Sequence, residues 1–162
     1  MIYFCKFEFI IVMIKDNKIF YGKKACACAV SLDILGDRWT LIIIRDIFRG
    51  KNRFSQFLNE SREGIASNIV VDRLKKLTSL GIINFRRKES DKKIKEYYLT
   101  DKGIDLYPII YELQKWSIKH VEFEFTENTK KHNELTNKLT AEKFIEQFVD
   151  KYTKFRLEEF GF

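Results

Sequence analysis

Apolar side chains recur at every third or fourth position in several stretches of the chain, a spacing typical of amphipathic helices. The first stretch, residues 31–48, reads SLDILGDRWTLIIIRDIF, and Gly36 within it predicts a break between two helical pieces. A second helix is predicted from Ala66 to Leu80, with Gly81 ending it. A short helix over residues 55–60 precedes it across the turn SREG, so the pair has the form of a helix-turn-helix unit. The apolar side chains expected to point inward from this short helix are Phe54, Phe57 and Leu58.

Directly behind the second helix, the pattern changes to two short runs that predict a β-hairpin. The strands are residues 82–88 and 94–99, and a polar loop joins them. A hairpin in this position is a wing. The predicted fold class is therefore mainly α with a small β-hairpin wing, a winged helix-turn-helix.

The chain beyond the hairpin is predicted to be helical again. A long helix opens at Thr100 and continues to Glu122, and Pro108 is expected to bend it rather than stop it. Residues 126–140 are rich in Thr, Asn and Lys and are expected to form a polar link. An apolar face over residues 141–160 predicts the last helix.

Positive charge is concentrated on the second helix and the hairpin. The chain has 30 Lys and Arg against 23 Asp and Glu, a net charge of +7. Between Gly64 and Gly103, ten Lys and Arg stand against five Asp and Glu, which leaves +5 of that total. A solvated charge run is the common interpretation of such a stretch. Its position behind a helix-turn-helix unit instead favours double-stranded DNA as the partner.

The N-terminal part of the second helix is expected to enter the major groove. If Val70, Leu74 and Leu77 face the core, short polar and basic side chains occupy the opposite face. Asp72 is unfavourable near phosphates but can order Arg73 or Lys76. The predicted recognition residues are Ser67, Asn68, Val71, Asp72, Arg73 and Lys75. The predicted contacts of the wing and its surroundings to the DNA backbone are Arg53, Ser55, Arg86, Arg87, Lys88, Lys92, Lys93 and Lys95.

Four motifs together resemble the HxlR-type winged helix-turn-helix regulators of bacteria, within the MarR-like superfamily. They are CACAVSLDILGDRWT from Cys26, GKNRF from Gly50 and GIASNIVVDRLKKLTSLGII from Gly64, followed by EYYLTDKG. Asp37 and Ala27 depart from a glycine and a proline of the family pattern, and neither is expected to touch the DNA-reading residues. The resemblance extends from about Cys26 to His120.

This resemblance implies a homodimeric, sequence-specific transcription regulator that responds to a small reactive or metabolic effector. The segment before Cys26 and the helix from Asp101 to Glu122 would build the dimer as extra N- and C-terminal helical elements. That helix also has more apolar positions than one small domain needs to cover. The predicted dimerisation residues are Leu106, Ile110, Leu113 and Trp116. The last helix is expected either to join the interface or to pack on its own domain.

Cys26 occupies the position of a family cysteine that in some members senses oxidants or electrophiles. A thiol just ahead of a helix and near lysines is expected to have a lowered pKa. The alternative is a small packed residue among Ala25, Ala27 and Ala29, and Cys28 is expected to belong to the core. The odd count of three cysteines fits a reducing, cytoplasmic location.

The domain prediction is an N-terminal extension over residues 1–24, a winged helix-turn-helix domain over 25–122, and a linker with a C-terminal helix over 123–162. Translation starting at Met13 is a hypothesis consistent with this extension. The opening apolar run is too short to span a bilayer, so no membrane partner is expected.

The residue patterns predict no metal site, no cofactor and no enzyme activity. Cys-x-Cys with His120 and His132 far away lacks zinc spacing. The alternative to a DNA-binding regulator is a protein-interaction or dimerisation module that keeps the fold without operator binding.

Overall fold

The computed structural model of the chain describes residues 12–15, 18–22 and 24–162. Residues 1–11, 16, 17 and 23, which belong to the predicted N-terminal extension, lie outside this described part. Within it the chain forms two compact units, one ending at Gly103 and the other running from Ile104 to Phe162.

The described residues form eight helices and four strands, so the predicted mainly helical fold with a β-hairpin wing is confirmed. In the first part of the chain the elements are β1 (Val12–Lys15), β2 (Lys18–Tyr21), α1 (Ala27–Leu35), α2 (Arg38–Phe48), α3 (Phe54–Asn59), α4 (Ser67–Ser79), β3 (Ile83–Lys88) and β4 (Asp91–Leu99). After the wing they are α5 (Asp101–Ile104), α6 (Tyr107–His120), α7 (Glu127–Thr136) and α8 (Ala141–Phe160).

The predicted break at Gly36 separates α1 from α2. The N–H of Gly36 donates to the carbonyl of Leu32 over 2.7 Å and ends α1. Asp37 then begins α2, because its Oδ1 accepts from the backbone N–H groups of Trp39 and Thr40 at 3.2 and 3.0 Å. A carboxylate in this position satisfies donors that the first turn of a helix leaves without partners.

The core of the first unit lies between α2, α4 and the wing. Ile43, Ile44 and Ile47 of α2 are buried, and so are Val70, Leu74 and Leu77 on the predicted inner face of α4. Phe57 of α3 is also buried and meets the ring of Tyr97 at a centroid distance of 6.4 Å. The expectation that Phe54 points inward is wrong: it is the first residue of α3 and stays at the surface.

The wing is an antiparallel hairpin with a bulge at its tip. β3 pairs with β4 from Ile83 opposite Leu99 to Arg87 opposite Lys95, and the register shifts after Arg87. The segment ahead of α3 is also bonded to β4, because the Tyr97 N–H donates to the Asn52 carbonyl over 2.7 Å. The wing is therefore hydrogen-bonded to the start of the helix-turn-helix unit.

The second unit differs from the prediction in two places. Pro108 does not bend a long helix; the chain leaves the helical path after α5, and Pro108 lies in the first turn of α6. A proline is favourable there because its missing N–H would have had no helical partner. The predicted polar link contains α7, whose first turn is capped by the Thr126 hydroxyl accepting from the Thr129 N–H.

Aromatic side chains hold α6, α7 and α8 together. Tyr107 stacks on Phe148 with ring centroids 4.2 Å apart, and Phe144 lies between Tyr111 and His132. The last helix therefore packs on its own unit. Across the described residues, no helix has both the length and the apolar character needed to cross a membrane.

The expectation of an extra helical element before Cys26 is wrong for the residues that the structure describes there, because they form two paired strands, β1 and β2. They form an antiparallel hairpin with Val12 opposite Tyr21. The Tyr21 hydroxyl hydrogen-bonds to the Asp33 carboxylate of α1.

Candidate nucleic-acid interface

The outer face of α4 carries five of the six predicted recognition residues. Since α4 buries Val70, Leu74 and Leu77, positions 67, 68, 71, 72 and 75 lie together on the opposite face. All five of these side chains are exposed, and they are Ser67, Asn68, Val71, Asp72 and Lys75. This face carries the short polar groups Ser67 and Asn68 at the N-terminal end of the helix and one cation, Lys75, further along, an arrangement that suits a major groove.

Arg73 differs from the other predicted recognition residues because it turns toward α2. Its Nε donates to Asp37 Oδ1 over 2.7 Å, and the Lys76 Nζ lies 3.4 Å from Asp37 Oδ2. Arg73 Nη1 also pairs with Asp72, the ordering role predicted for that acid. The expectation that Asp37 does not touch the DNA-reading residues is wrong, because α2 packs on α4 and brings its first turn beside Arg73.

The Asp37 carboxylate is stabilised in its ionised form. Burial raises the pKa of Asp37, but hydrogen bonds from Thr40 and Arg73 outweigh that cost and leave the pKa below its usual range. Asp37 is therefore an anion at neutral pH, held against two cations of α4.

A buried carboxylate in α2 positions the turn ahead of α4. Asp46 is 1% exposed, and its Oδ2 accepts from Lys51 Nζ at 2.8 Å and from Ser61 Oγ at 2.9 Å. Arg45 bonds Asp46 and also donates through both terminal nitrogens to Glu63, at 2.6 and 3.0 Å. These bonds hold the pKa of Glu63 down at about 2. Sequence reasoning missed this network; the signal was an Arg-Asp pair inside the apolar run LIIIRDIF.

The turn itself needs a glycine at position 64. Gly64 adopts a φ of +66°, in the left-handed region that side chains with a Cβ rarely occupy. Ile65, directly after it, is 3% exposed and anchors the chain before α4 begins. The turn ahead of α4 is thus fixed on both sides of Gly64, by the bonds between Glu63 and Arg45 and by the burial of Ile65.

Two of the predicted backbone-contacting cations share one buried acid. Arg53 Nη2 donates to Glu96 Oε1 at 2.8 Å, and Arg86 Nε donates to Oε2 at 3.1 Å. Glu96 is 2% exposed, whereas both arginine side chains remain partly accessible. Burial raises the pKa of Glu96, but the two arginines more than compensate and lower it overall. Arg53 and Arg86 therefore reach solvent from fixed positions.

The other side chains predicted to contact the DNA backbone fall into two groups: some contact other residues of the wing, and others extend into solvent. Arg87 Nη1 donates to the Lys92 carbonyl at 2.7 Å across the tip, and Lys95 Nζ lies 4.0 Å above the centre of the Phe85 ring. Lys92 and Lys93 are exposed, and no ion pair holds their side chains among the residues that the structure describes. Lys88 is half-buried beside the bulge, and Ser55 is exposed in the first turn of α3.

The predicted dimerisation residues fall into two groups within the second unit. Ile110 is 5% exposed and belongs to the core of that unit, and Leu106 is half-buried. Leu113 and Trp116 are 48% and 60% exposed, and Ile109, one turn before Leu113, is 41% exposed. A stripe of large apolar side chains thus runs along the outer face of α6.

Cys26 lies at the N-terminal end of α1 and is exposed. Backbone N–H groups of Ala29 and Cys28 lower the pKa of the Cys26 thiol. The interpretation of Cys26 as packed among alanines is wrong in this structure, since Ala25, Ala27 and Ala29 are exposed. The predicted core position of Cys28 is wrong as well: Cys28 is exposed, and Leu35 is the only buried residue of α1.

Within the described part of the chain, no group of three or more His, Cys, Asp or Glu side chains could hold a metal ion. The functional side chains that the described residues bring together are cations and hydrogen-bonding groups, and they lie on α4 and the wing.

Comparison with known proteins gives the family. Residues 34–125, more than half of the 162 residues, match the family described as HxlR-like helix-turn-helix. An uncharacterized HTH-type transcriptional regulator of Mycobacterium tuberculosis, MT3179, is 35% identical over 91 residues, which are 56% of each chain. The chain thus spans little more than half the length of that relative.

Two solved structures have a similar fold. PA1607, described as a candidate transcription factor, superposes with a TM-score of 0.57 and 34% identity over 64% of this chain and 70% of its own. The oxidized form of the redox regulator HypR superposes with a TM-score of 0.54 and 26% identity, over 60% of this chain and all of its own. Together with the fold, the wing and the residue match, these likenesses give one conclusion: the chain belongs to the HxlR-like helix-turn-helix family.

Proposed function

We propose that this protein is a sequence-specific transcription regulator that binds double-stranded DNA as a homodimer. The observation that carries the proposal is the exposed face of α4, with Ser67 and Asn68 at its start, directly ahead of a wing tipped by Lys92 and Lys93. In this arrangement α4 reads bases in the major groove and the wing contacts phosphates. MT3179 is named as a transcriptional regulator, which supports the same function.

Asn68 is the residue proposed to read a base edge. An exposed amide at the start of a recognition helix can donate to and accept from an adenine. Ser67 and Lys75 flank it on the same face and supply shorter and longer polar contacts. Val71, 40% exposed in the middle of this face, is suited to contact a thymine methyl group.

The test is DNA binding by the purified protein. Gel shift on fragments from its own genome should give at least one complex whose affinity falls as salt rises. Asn68→Ala should relax the preference at one or two base pairs, by roughly 1–3 kcal/mol of discrimination. Asn128→Ala, an exposed amide of α7, is the matched control and should leave the preference unchanged. The absence of a salt-sensitive complex with any fragment would reject the proposal.

The homodimer is proposed to form through the exposed apolar stripe of α6. Ile109, Leu113 and Trp116 present large apolar side chains to solvent in one row, which is unusual for a surface that stays uncovered. A two-fold dimer would read two half-sites about 10 base pairs, or a multiple of that turn, apart.

An oxidant or electrophile is the effector class that Cys26 supports. The thiol is exposed, and backbone N–H groups at the start of α1 lower its pKa, both of which favour the reactive thiolate. HypR is named as a redox regulator. Treatment with peroxide or a quinone should change DNA affinity in the wild type and in Cys28→Ser, and should leave Cys26→Ser unaffected. An equal response in wild type and Cys26→Ser would remove Cys26 from this role.

A protein-interaction module that keeps the fold without operator binding is the second candidate. It is favoured by one observation, the pairing of Arg53, Arg86 and Arg73 with acids of the same unit, which reduces the charge offered to phosphates. The gel shift described above distinguishes the two candidate functions. Only a regulator forms a salt-sensitive complex with DNA in addition to dimerising.

A further inference from the structure

We infer that Asp37 is a positioning residue for the DNA-reading helix: it anchors Arg73 and Lys76 of α4 to the start of α2, and so withholds these two cations from DNA phosphates. The inference rests on the proposed DNA-binding function. It assigns a role in discrimination between sequences to a residue outside the predicted DNA-contacting set.

One carboxylate joins two helices. Asp37 Oδ1 accepts from the N–H groups of Trp39 and Thr40 and from Arg73 Nε, at 3.2, 3.0 and 2.7 Å. Its Oδ2 accepts from Thr40 Oγ1 at 2.5 Å and lies 3.4 Å from Lys76 Nζ. Thr40 is fully buried, so the α2 end of this arrangement cannot move without disturbing the core. The orientation of Arg73 is therefore set by a fixed point on α2.

The guanidinium of Arg73 is bracketed by two acids. Nε bonds Asp37 on the α2 side, and Nη1 bonds Asp72 on the outer side. The Arg73 and Lys76 side chains retain only 22% and 28% of their exposure, whereas Lys75 between them is exposed. The charges of Arg73 and Lys76 are thus balanced by those of Asp37 and Asp72. Lys75 is left as the cation that the outer face of α4 offers to DNA.

Withholding cations has a predictable effect on sequence choice. Contacts to phosphate strengthen binding to every sequence equally, whereas contacts to base edges discriminate between sequences. A recognition helix whose flanking cations pair with acids of the same protein gains less binding free energy from the phosphates of unrelated DNA. Its fixed orientation on α2 also holds Asn68 and Ser67 in one register, which their base contacts require.

Asp37→Asn is the discriminating variant. Asparagine is about as good an N-cap as aspartate, so α2 keeps its first turn while the negative charge is lost. Affinity would be measured across about 50–200 mM salt on the fragment bound best in gel shift and on a scrambled duplex of equal length. The variant should bind the scrambled duplex more tightly, with a salt slope steeper by up to about 2 × 0.9, and should discriminate less between the two.

Asp105→Asn is the matched control. It removes one negative charge from an exposed acid that lies on neither α2 nor α4, so the salt slope and the discrimination should both stay near the wild-type values. An Asp37→Asn protein with unchanged salt slope and discrimination would overturn the inference. In a background of Arg73→Gln and Lys76→Gln, the effect of Asp37→Asn should vanish, and its persistence would also overturn the inference.

The double variant Arg73→Gln, Lys76→Gln tests the same point with Asp37 intact, even if Asp37→Asn folds poorly. Because the two cations are withheld, its salt slope should match that of the wild type. A slope flattened by about 2 × 0.9 would mean that both contact phosphates, and would overturn the inference.

If the wild type itself shows no salt-dependent binding to any duplex, the proposed function fails and this inference fails with it. Wild-type binding with an unaltered Asp37→Asn rejects the inference alone.

Discussion

Arg86 lies directly opposite Glu96 in the paired strands of the wing, and its Nε donates to Glu96 Oε2 over 3.1 Å. Arg53, just ahead of α3, donates to the other carboxylate oxygen. One buried acid thus connects both strands of the wing to the helix-turn-helix unit. Its two partners were predicted as phosphate contacts, and their positions are set before any DNA arrives.

Glu96→Gln should destabilise the fold. The substitution keeps the shape but removes the charge that two arginines share in a buried position, where charge-assisted hydrogen bonds are worth more than neutral ones. We expect the free energy of unfolding to fall by about 1–3 kcal/mol, seen as a lower urea midpoint by circular dichroism. Glu89→Gln, an exposed acid in the same hairpin, should leave the midpoint unchanged. Equal midpoints for the two variants would contradict this role of Glu96.

Stability should depend on pH through Glu63. The hydrogen bonds from Arg45 hold the pKa of Glu63 at about 2, against an ordinary value of 4.5. Because the unfolded chain binds this proton more readily, the ionised carboxylate stabilises the fold above pH 4.5, and this contribution is lost as the pH falls toward 2. The free energy of unfolding should therefore drop more steeply over that range in the wild type than in Glu63→Gln. Parallel curves from urea titrations at each pH would contradict the assignment.

The wing tip should set the salt dependence of DNA binding. Lys92 and Lys93 are exposed at the tip, so replacing both with Ala should flatten the slope of log K against log salt by about 2 × 0.9 and weaken binding to all sequences alike. The matched control replaces Lys131 and Lys138 of the second unit, both exposed, with Ala. A slope reduced equally by the control pair would mean that overall charge, and not the wing, is responsible.

Gly103 should not tolerate a side chain. A Cβ at this position would lie 2.2 Å from the Ile82 carbonyl oxygen and 3.0 Å from a Leu99 methyl group. Since the nearest atom belongs to the backbone, the end of the wing must shift to make room. Gly103→Ala should lower the free energy of unfolding by about 1–3 kcal/mol, the usual cost of overpacking. A thermal unfolding midpoint equal to that of the wild type would show that the close approach is absent in solution.

The α6 stripe should control the oligomeric state. Trp116→Glu introduces a charge into the apolar row, so light scattering should give the mass of a dimer for the wild type and of a monomer for the variant. Leu157→Glu on α8 is the control, because Leu157 is 59% exposed and is not on α6. Ile110→Ala should act differently and destabilise the unit itself, since Ile110 is buried. A Trp116→Glu protein that remains dimeric would remove the stripe from the interface.

The sequence by itself determined the order of elements in the winged helix-turn-helix. Gly36 marked the break between α1 and α2, and the spacing of Val70, Leu74 and Leu77 defined both the buried and the exposed face of α4. These features follow from local rules, because capping, helix period and strand alternation depend on residues only a few positions apart. The same rules missed α7, whose polar sequence is weakly helical and whose His132 packs against Phe144 of another helix.

Only the tertiary structure decided which charges remain available to a partner. Asp37 meets Arg73 across 36 positions of sequence, and Glu96 meets Arg53 across 43. A count of lysines and arginines cannot distinguish a cation held by an internal acid from one that faces solvent. The strength of an ion pair depends on distance and burial, which are fixed only when α2, α4 and the wing pack together.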